Sequence, residues 1–500
     1  MRNFLVLITF FLVGWFLFTY KLTDVPLGIN GDEAAIGYSS ALIAKTGYDS
    51  NGRFLPLFTT TLWPDWKQPV TIYSTVLMFK LFGISYFNLK AVSVLFVLIS
   101  GAIIYLLAEE IFDKKMAVIS LFLYSTIPLI MIQSHLAIEN IAPLPFVSFW
   151  LLMLAKYTKI KKTKYLIFGA IALGISLYSY LGLRLIMPVL VILTIAYIYY
   201  LNNGIKLNRG NIKLRPILIF TTALLPFLAL LLIVKNQYPA AVFALNKTQN
   251  IVSYQDFFLP FISSFDLSFL FLKGDSTPYH STGKEGMFLL ATLPLFILGL
   301  YKIAVEKKPL YIFIFSAFFL SPILYGLPGS VHRASRLMSL IPFFIIIILL
   351  GFKILLELKT RLKFYPILLV GALIVLNYKF FLADYWFDYP HRVNQSFEKP
   401  AHIVYEKAAK ISKNENLKVY LHDDITRRHP TAYLFFELAY LPENHQQWEE
   451  AKLVPAKSIV MVTDQVFSRS LKNIKEVEVL EHGNMDIILV INRSNEDTKI

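Results

Sequence analysis

Two adjacent acids, Asp32 and Glu33, open the stretch GDEAAIGYSSALIAK, and the lysine of Lys67-Gln68-Pro69 closes the same polar loop at residues 21–69. A carboxylate can take a proton from an attacking hydroxyl, and a fixed ammonium can neutralise a phosphate, so the loop holds both halves of an acid-base and electrostatic site. Neighbouring residues on a helix point about 100° apart, so only one acid of the pair can face a reacting atom. Asp32 is taken as the base and Glu33 as a positioning group. A second reading stands beside it: acids in a first turn also cap a helix and complement its dipole.

Other ionisable residues gather at the ends of apolar runs. Glu139 lies in SHLAIENIAPLPF, Arg184 in LYSYLGLRLIMP, and His332, Arg333 and Arg336 follow Pro328-Gly329. Arginine offers a bidentate fork and lysine a point charge, and a lipid phosphate is a ligand that asks for both. Lys67, Arg184, His332, Arg333 and Arg336 are therefore the candidate phosphate-binding set, and Glu139 joins Asp32 and Glu33 as a candidate catalytic acid. Lysine snorkelling and ordinary binding of anionic lipid are the plainer accounts of the same cations. His280, in DSTPYHSTG, is a weak metal candidate because no partner ligand stands near it in sequence. The chain has no Gly-rich nucleotide loop, no H-E-x-x-H and no G-x-S-x-G, which removes support for nucleotide and hydrolase templates.

The elements that must hold these residues are membrane helices. Of 500 residues 56% are hydrophobic and 16% charged, with a mean hydropathy of +0.57, which is far from a soluble domain. The absence of cysteine rules out disulfides, thiol nucleophiles and cysteine-zinc sites. About eleven spans are expected, near 3–20, 86–108, 116–134, 141–155, 165–181, 184–200, 216–234, 286–303, 309–325, 337–352 and 365–383. The first apolar run lacks a small-residue cleavage site and reads as an uncleaved helix. Residues 70–83 are short and carry Lys80, which suits an interfacial helix, as short amphipathic pieces suit the loop 235–286.

The net charge of +15 would suggest nucleic acid in a soluble chain, but here it has a topological explanation. Lysines and arginines crowd Asp113-Lys114-Lys115 and the runs 156–164, 206–215, 302–308 and 353–363, which the positive-inside rule places in the cytoplasm. The N-terminus is then cytoplasmic, and the first loop, Glu139, Arg184, the loop 235–286, the turn 326–336 and the C-terminus face out from the cell membrane. From residue 384 the composition becomes that of a small extracytoplasmic α/β domain. Its candidate strands are Lys418–His422, Ser458–Thr463, Val477–Glu481 and Asp486–Asn492, and its candidate helices Ala401–Ser412 and Pro430–Tyr440. The expected organisation is a transmembrane module at 1–383 followed by that domain at 384–500.

The succession GDEAAIGYSSALIAKTG, DWKQPVTIYSTVLMFKLFG and HLAIENIAP resembles the polytopic lipid-dependent glycosyltransferases of the type C fold. Specifically it resembles the branch of protein O-mannosyltransferases and the aminoarabinose transferase of lipid A. Those proteins carry an acidic pair in the first outer loop, a lysine-proline element ahead of an interfacial helix ending in Phe-Gly, and an acid at the next outer turn. Here these positions are Asp32-Glu33, Lys67-Gln68-Pro69, Phe82-Gly83 and Glu139. The likeness covers residues 20–155 well. Three departures stand out: Gln68 where a proline follows the lysine, Glu139 where aspartate is common, and Lys90 where an arginine precedes the second span.

The resemblance implies a polyprenyl-phosphate sugar as donor, a lipid, protein or glycan hydroxyl as acceptor, and inversion at the anomeric carbon. It requires no cofactor and leaves a divalent metal open. A transporter or flippase of lipid-linked sugars is the alternative, but charges at mid-span and inverted repeats would suit it better than ionisable groups gathered at one face. A non-catalytic binder of polyprenyl lipid is a third reading, against which the retention of Asp32 and Lys67 argues.

Overall fold

The structure is a computed structural model that describes residues 2–61, 66–204, 213–242, 253–327, 334–358, 364–393, 395–428, 430–449, 453–472, 474, 477–481 and 487–499. Among them, eight helices are long and apolar enough to cross a membrane, from Tyr86–Ile111 to Phe364–Val393. A ninth span arises if Lys114–Ser125 and Pro128–Ser134 are taken together; they bend by 62° where Pro128 starts a new helix. Asn3–Thr19, Pro69–Phe82 and Lys164–Ser176 are shorter apolar helices. The chain is a multi-pass membrane protein with mainly helical architecture and a small C-terminal strand region, as the hydropathy pattern predicts. Within 235–286 the structure has a ten-residue helix, Tyr254–Ser263, and a short turn of π-helix, Ser268–Leu272, which together make one of those eight where short surface-lying pieces are expected.

The chain divides into two compact units. The first comprises residues 1–20, 68–71 and 93–389. Its tightest helix pair is Leu293–Glu306 against Ile341–Glu357, and two glycines set the spacing. A Cβ at Gly299 would stand 1.9 Å from the Ile347 carbonyl oxygen, and one at Gly351 1.9 Å from that of Leu295. In lipid, where no hydrophobic force drives helices together, such backbone proximity is what small residues supply. Ile341 to Gly351 are all buried, which fits a helix that is apolar all round and closed in by its neighbours.

The second unit comprises residues 21–67, 72–92 and 390–500, so the first loop and the C-terminal α/β segment form one body. Among the described residues seven strands run in chain order: β1 Lys418–Leu421, β2 Gln446–Gln447, β3 Leu453–Val454, β4 Ser458–Thr463, β5 Glu478–Glu481, β6 Ile487–Asn492 and β7 Thr498–Lys499. Five form a mixed sheet in the order β2-β1-β4-β6-β5, with β1 parallel to β2 and β4, and β6 antiparallel to β4 and β5; β3 and β7 pair separately. All six residues of β4 and of β6 are buried, as their unbroken apolar runs require of strands covered on both faces.

The helix Pro430–Tyr440 packs on the first-loop helix Gly31–Thr46 and on the helices His402–Glu415 and Asp423–Arg428, which in turn cover the sheet. Phe435 is fully buried, its ring stacked on Phe79 at 6.2 Å and close against Gly37, a burial that contributes roughly 2–3 kcal/mol. Tyr86 ties the same parts together: its hydroxyl donates to the Gly28 carbonyl at 2.9 Å, and its N–H donates to the Tyr440 hydroxyl at 3.0 Å. His402 lies against the Tyr86 ring at 4.7 Å with Nδ1 buried and lacking a hydrogen-bond partner among the described residues.

Burial, helped by the ammonium of Lys90, pushes the His402 pKa down to about 3, so the folded protein holds this imidazole neutral. The folded value lies below the unfolded one, near 6.5, so the contribution is whole above that pH and is lost as the pH falls toward 3. At about pH 5 His402 should cost about 2 kcal/mol of stability relative to neutral pH. His402→Phe should flatten that part of the acid loss, read as the change in Tm of the full-length protein between neutral and mildly acidic buffer. An identical acid slope in the variant would refute the assignment.

Candidate active site

The chain direction at the site is set by a cap. Asn30, in extended conformation, accepts the Glu33 N–H on its side chain at 2.9 Å, and Glu33 Oε2 accepts the Asn30 N–H at 3.1 Å. This reciprocal capping box starts the helix Gly31–Thr46 and uses the fully buried Glu33 carboxylate to hold the turn. Asp32, one residue earlier, points elsewhere, its side chain 61% exposed. Of the two readings of the acid pair, each residue takes one: Glu33 caps, and Asp32 is presented.

Lys67 reaches Asp32 from the far end of the loop. Its backbone is pinned to Thr59 by an antiparallel bridge, with the Lys67 N–H donating to the Thr59 carbonyl at 2.7 Å. Its side chain is 6% exposed, and Nζ donates to Asp32 Oδ1 at 2.5 Å. A buried stem carries the ammonium to a carboxylate that still faces solvent, so the two ends of the loop meet at this pair.

Pro69 then occupies the first position of the helix Pro69–Phe82, where its missing N–H costs nothing. Between them Gln68, fully buried, belongs to the other unit and makes a separate network. Its N–H donates to Glu139 Oε1 in a short bond, and its side-chain oxygen accepts from Arg184 Nη2 at 2.7 Å. Arg184 spends the rest of its fork on backbone, donating to the carbonyls of Leu177 at 3.0 Å, Val242 at 2.9 Å and Ala241. Its position is that of a clamp on Gln68 and the segment ending at Val242.

Two of the three departures from the resembled pattern, Gln68 and Glu139, thereby form one device. A proline after the lysine would have no N–H; Gln68 has one, and the glutamate at 139 accepts it. Gln68→Pro should therefore remove a charge-assisted bond from a buried backbone N–H and cost about 1–3 kcal/mol. The readout is a lower Tm of the purified protein, and an unchanged Tm would refute it. The third departure, Lys90, is fully buried with Nζ 4.6 Å from the Tyr86 ring centre, and Glu33 and Asp24 are the anions whose field it feels.

Arg336 sits in the turn of 3-10 helix Ala334–Leu340, where its carbonyl accepts the Tyr325 hydroxyl at 2.6 Å. Its Nη1 is buried with no hydrogen-bond partner among the described residues, an orphaned cationic donor that suits an anion. His332 and Arg333 lie outside the described residues. His280 uses both ring nitrogens in structure, Nδ1 with the Gln133 side-chain amide and Nε2 with the Ser335 hydroxyl, each at 3.1 Å. Among the described residues no group of three or more His, Asp or Glu is arranged to hold a metal ion.

Sequence reasoning missed Asn30, Thr59 and the part played by Gln68. Asn30 had a signal, since N-x-x-E ahead of an apolar stretch is a capping-box pattern. Thr59 and Gln68 had none, because their partners are fixed by tertiary structure.

Residues 66–234 match the sequence model of the dolichyl-phosphate-mannose-protein mannosyltransferase family, a stretch that includes Lys67, Gln68, Glu139 and Arg184. Among solved structures, ArnT from Cupriavidus metallidurans bound to undecaprenyl phosphate aligns with a TM-score of 0.57 over 97% of this chain and 97% of that one, at 10% identity. Its apo state aligns with a TM-score of 0.56 over the same shares, at 11% identity. The fold is that of the type C glycosyltransferases. No curated protein matches the sequence significantly. The likeness to ArnT runs the length of both chains, so the C-terminal strand region belongs to the shared fold.

Proposed function

We propose that the protein transfers a sugar from a polyprenyl-phosphate donor to an acceptor hydroxyl at the outer face of the cell membrane, with Asp32 as general base and Lys67 as the cation for the donor phosphate. The observation that carries the proposal is the 2.5 Å contact between the exposed Asp32 carboxylate and the buried Lys67 ammonium. The match to the mannosyltransferase model and the ArnT fold support the class, and the undecaprenyl phosphate held by that ArnT structure supports the donor. The placement of basic residues in the loops on one side supports the orientation.

The acceptor oxygen attacks the anomeric carbon from the side opposite the phosphate, and the bond from that carbon to the phosphate oxygen breaks. The acceptor proton passes to the Asp32 carboxylate, and the electron pair leaves on the polyprenyl phosphate, whose charge grows by one. In the resting protein the Lys67 ammonium is shared with Asp32. Once Asp32 takes the proton its negative charge is gone, and the ammonium is released to the phosphate as the phosphate's own charge grows. One ion pair thus couples proton removal to leaving-group stabilisation. No step calls on a metal or a nucleotide.

Glu33 acts by holding the turn that presents Asp32, and Glu139 and Arg184 by holding Gln68, the residue after Lys67. Arg336, with its orphaned nitrogen, is assigned to anion binding. The test is transfer of radiolabel from a polyprenyl-phosphate sugar to membrane acceptors by purified wild-type protein. Label must leave the organic-soluble donor only when the protein is present. Donor hydrolysed or left intact under all conditions, with a panel of hexose and pentose donors, would overturn the reading.

A further inference from the structure

A cavity unrelated to the acid-lysine pair opens in the C-terminal sheet, with a volume of about 540 Å³. It lies at the carboxyl ends of the three parallel strands β1, β2 and β4, whose chains run on into His422, Trp448 and Asp464. The strand order reverses at β1: β2 follows on one side, and β4 returns on the other. In open α/β sheets that reversal leaves a crevice at the strand ends, and it is where such sheets bind ligands.

The lining identifies the ligand chemistry. Arg427 and Arg469 bring two positive charges, Asp423, Asp424 and Glu449 three negative ones, and Gln447 and Gln465 add neutral amides. With His422 kept toward its neutral form by burial, the wall carries donors and acceptors in similar number and no positive excess. A phosphate would meet three carboxylates. A metal ion would find no group of three ligands among the described residues. A polyhydroxylated neutral molecule meets a partner at every turn, because each hydroxyl both donates and accepts.

The wall is also braced in advance. Arg427 Nη2 donates to Asp423 Oδ2 at 2.5 Å, the Thr463 hydroxyl donates to Asp424 Oδ2 at 2.8 Å, and the Asp424 N–H donates to His422 Nδ1 at 3.1 Å. Behind them the His422 and Trp448 rings pack at 5.8 Å. The volume suits roughly one or two pyranose rings, within the range of small-molecule sites.

We propose that this cavity is a binding site for a neutral saccharide. Its use in gathering a glycan acceptor or product rests on the transferase reading above; the binding does not. The helix Pro430–Tyr440 packs both on the cavity helix Asp423–Arg428 and on the helix that carries Asp32, so the site and the base belong to the same unit.

The test uses full-length protein in a detergent without a sugar head group. The methyl glycosides of mannose, glucose, galactose and N-acetylglucosamine are titrated beside inorganic phosphate and calcium chloride. At least one glycoside should bind saturably in the millimolar range, with neither ion bound at the same site. The exposed-residue variant Arg427→Ala/Gln465→Ala, checked for an unchanged Tm, should raise Kd by roughly tenfold or more. Gln447→Ala should raise it by a smaller factor, while Asp32→Asn and Lys67→Ala leave it unchanged. The proposal is overturned if no glycoside saturates, if phosphate or calcium competes for the cavity, or if the cavity variants bind as wild type. It is equally overturned if binding vanishes in Asp32→Asn or Lys67→Ala, which would place the sugar at the transfer site. Failure of the transfer assay alone leaves all these readouts intact.

Discussion

Asp32→Asn is expected to lower sugar transfer by about 10²- to 10⁴-fold while the protein remains folded and still binds a polyprenyl phosphate. Asparagine keeps the volume and one carbonyl oxygen, so the lysine retains an acceptor, but the amide cannot take the acceptor's proton. The carboxylate is mostly exposed, and the turn that presents it is held by Asn30 and Glu33, so the substitution leaves that turn in place. The loss should therefore appear in kcat, with the KM for the donor little changed. The measurement is single-turnover transfer of radiolabel beside equilibrium binding of the lipid phosphate. Transfer by Asp32→Asn within a factor of about three of wild type would remove Asp32 from the reaction.

How much of the fold is legible in the amino-acid sequence depends on the range over which each signal acts. Hydropathy and β-propensity are local, so the strands β1, β4, β5 and β6 fall within a residue or two of their expected limits, and the helix Pro430–Tyr440 falls on them. The meeting of Asp32 and Lys67 is legible because both lie in one loop flanked by recognisable elements. The C-terminal segment's union with that loop is not: it depends on Phe435 filling the gap beside Gly37, and an apolar residue on a helix does not say what it will cover. Arg184 shows the same limit from the polar side. A guanidinium at a helix end reads as an anion site, yet here it is met by carbonyls of Leu177, Ala241 and Val242, whose position no spacing rule gives. His280, likewise, is closed by Gln133 and Ser335, each more than fifty residues away in the chain.

Lys67→Ala is expected to cost about 10²- to 10³-fold in transfer, the loss typical when a preorganised partner of a developing negative charge is removed. Lys67→Arg should recover little, because the stem is enclosed and the wider guanidinium cannot present a single point charge at the same place. The shared ion pair makes a sharper demand than either single variant. If Asp32 must lose its charge before the ammonium is given up to the phosphate, the two residues act as one unit, and removing the second adds little to the loss from the first. The double variant Asp32→Asn/Lys67→Ala should then sit within about tenfold of the slower single variant, where independent action would multiply the two losses. A donor with a more acidic leaving phosphate analogue should narrow the deficit of Lys67→Ala and leave that of Asp32→Asn as it was, since only the first variant lacks stabilisation of the leaving group. Strict multiplication in the double variant, with both singles responding alike to the leaving group, would separate the base from the cation and dissolve the coupling that the 2.5 Å contact implies.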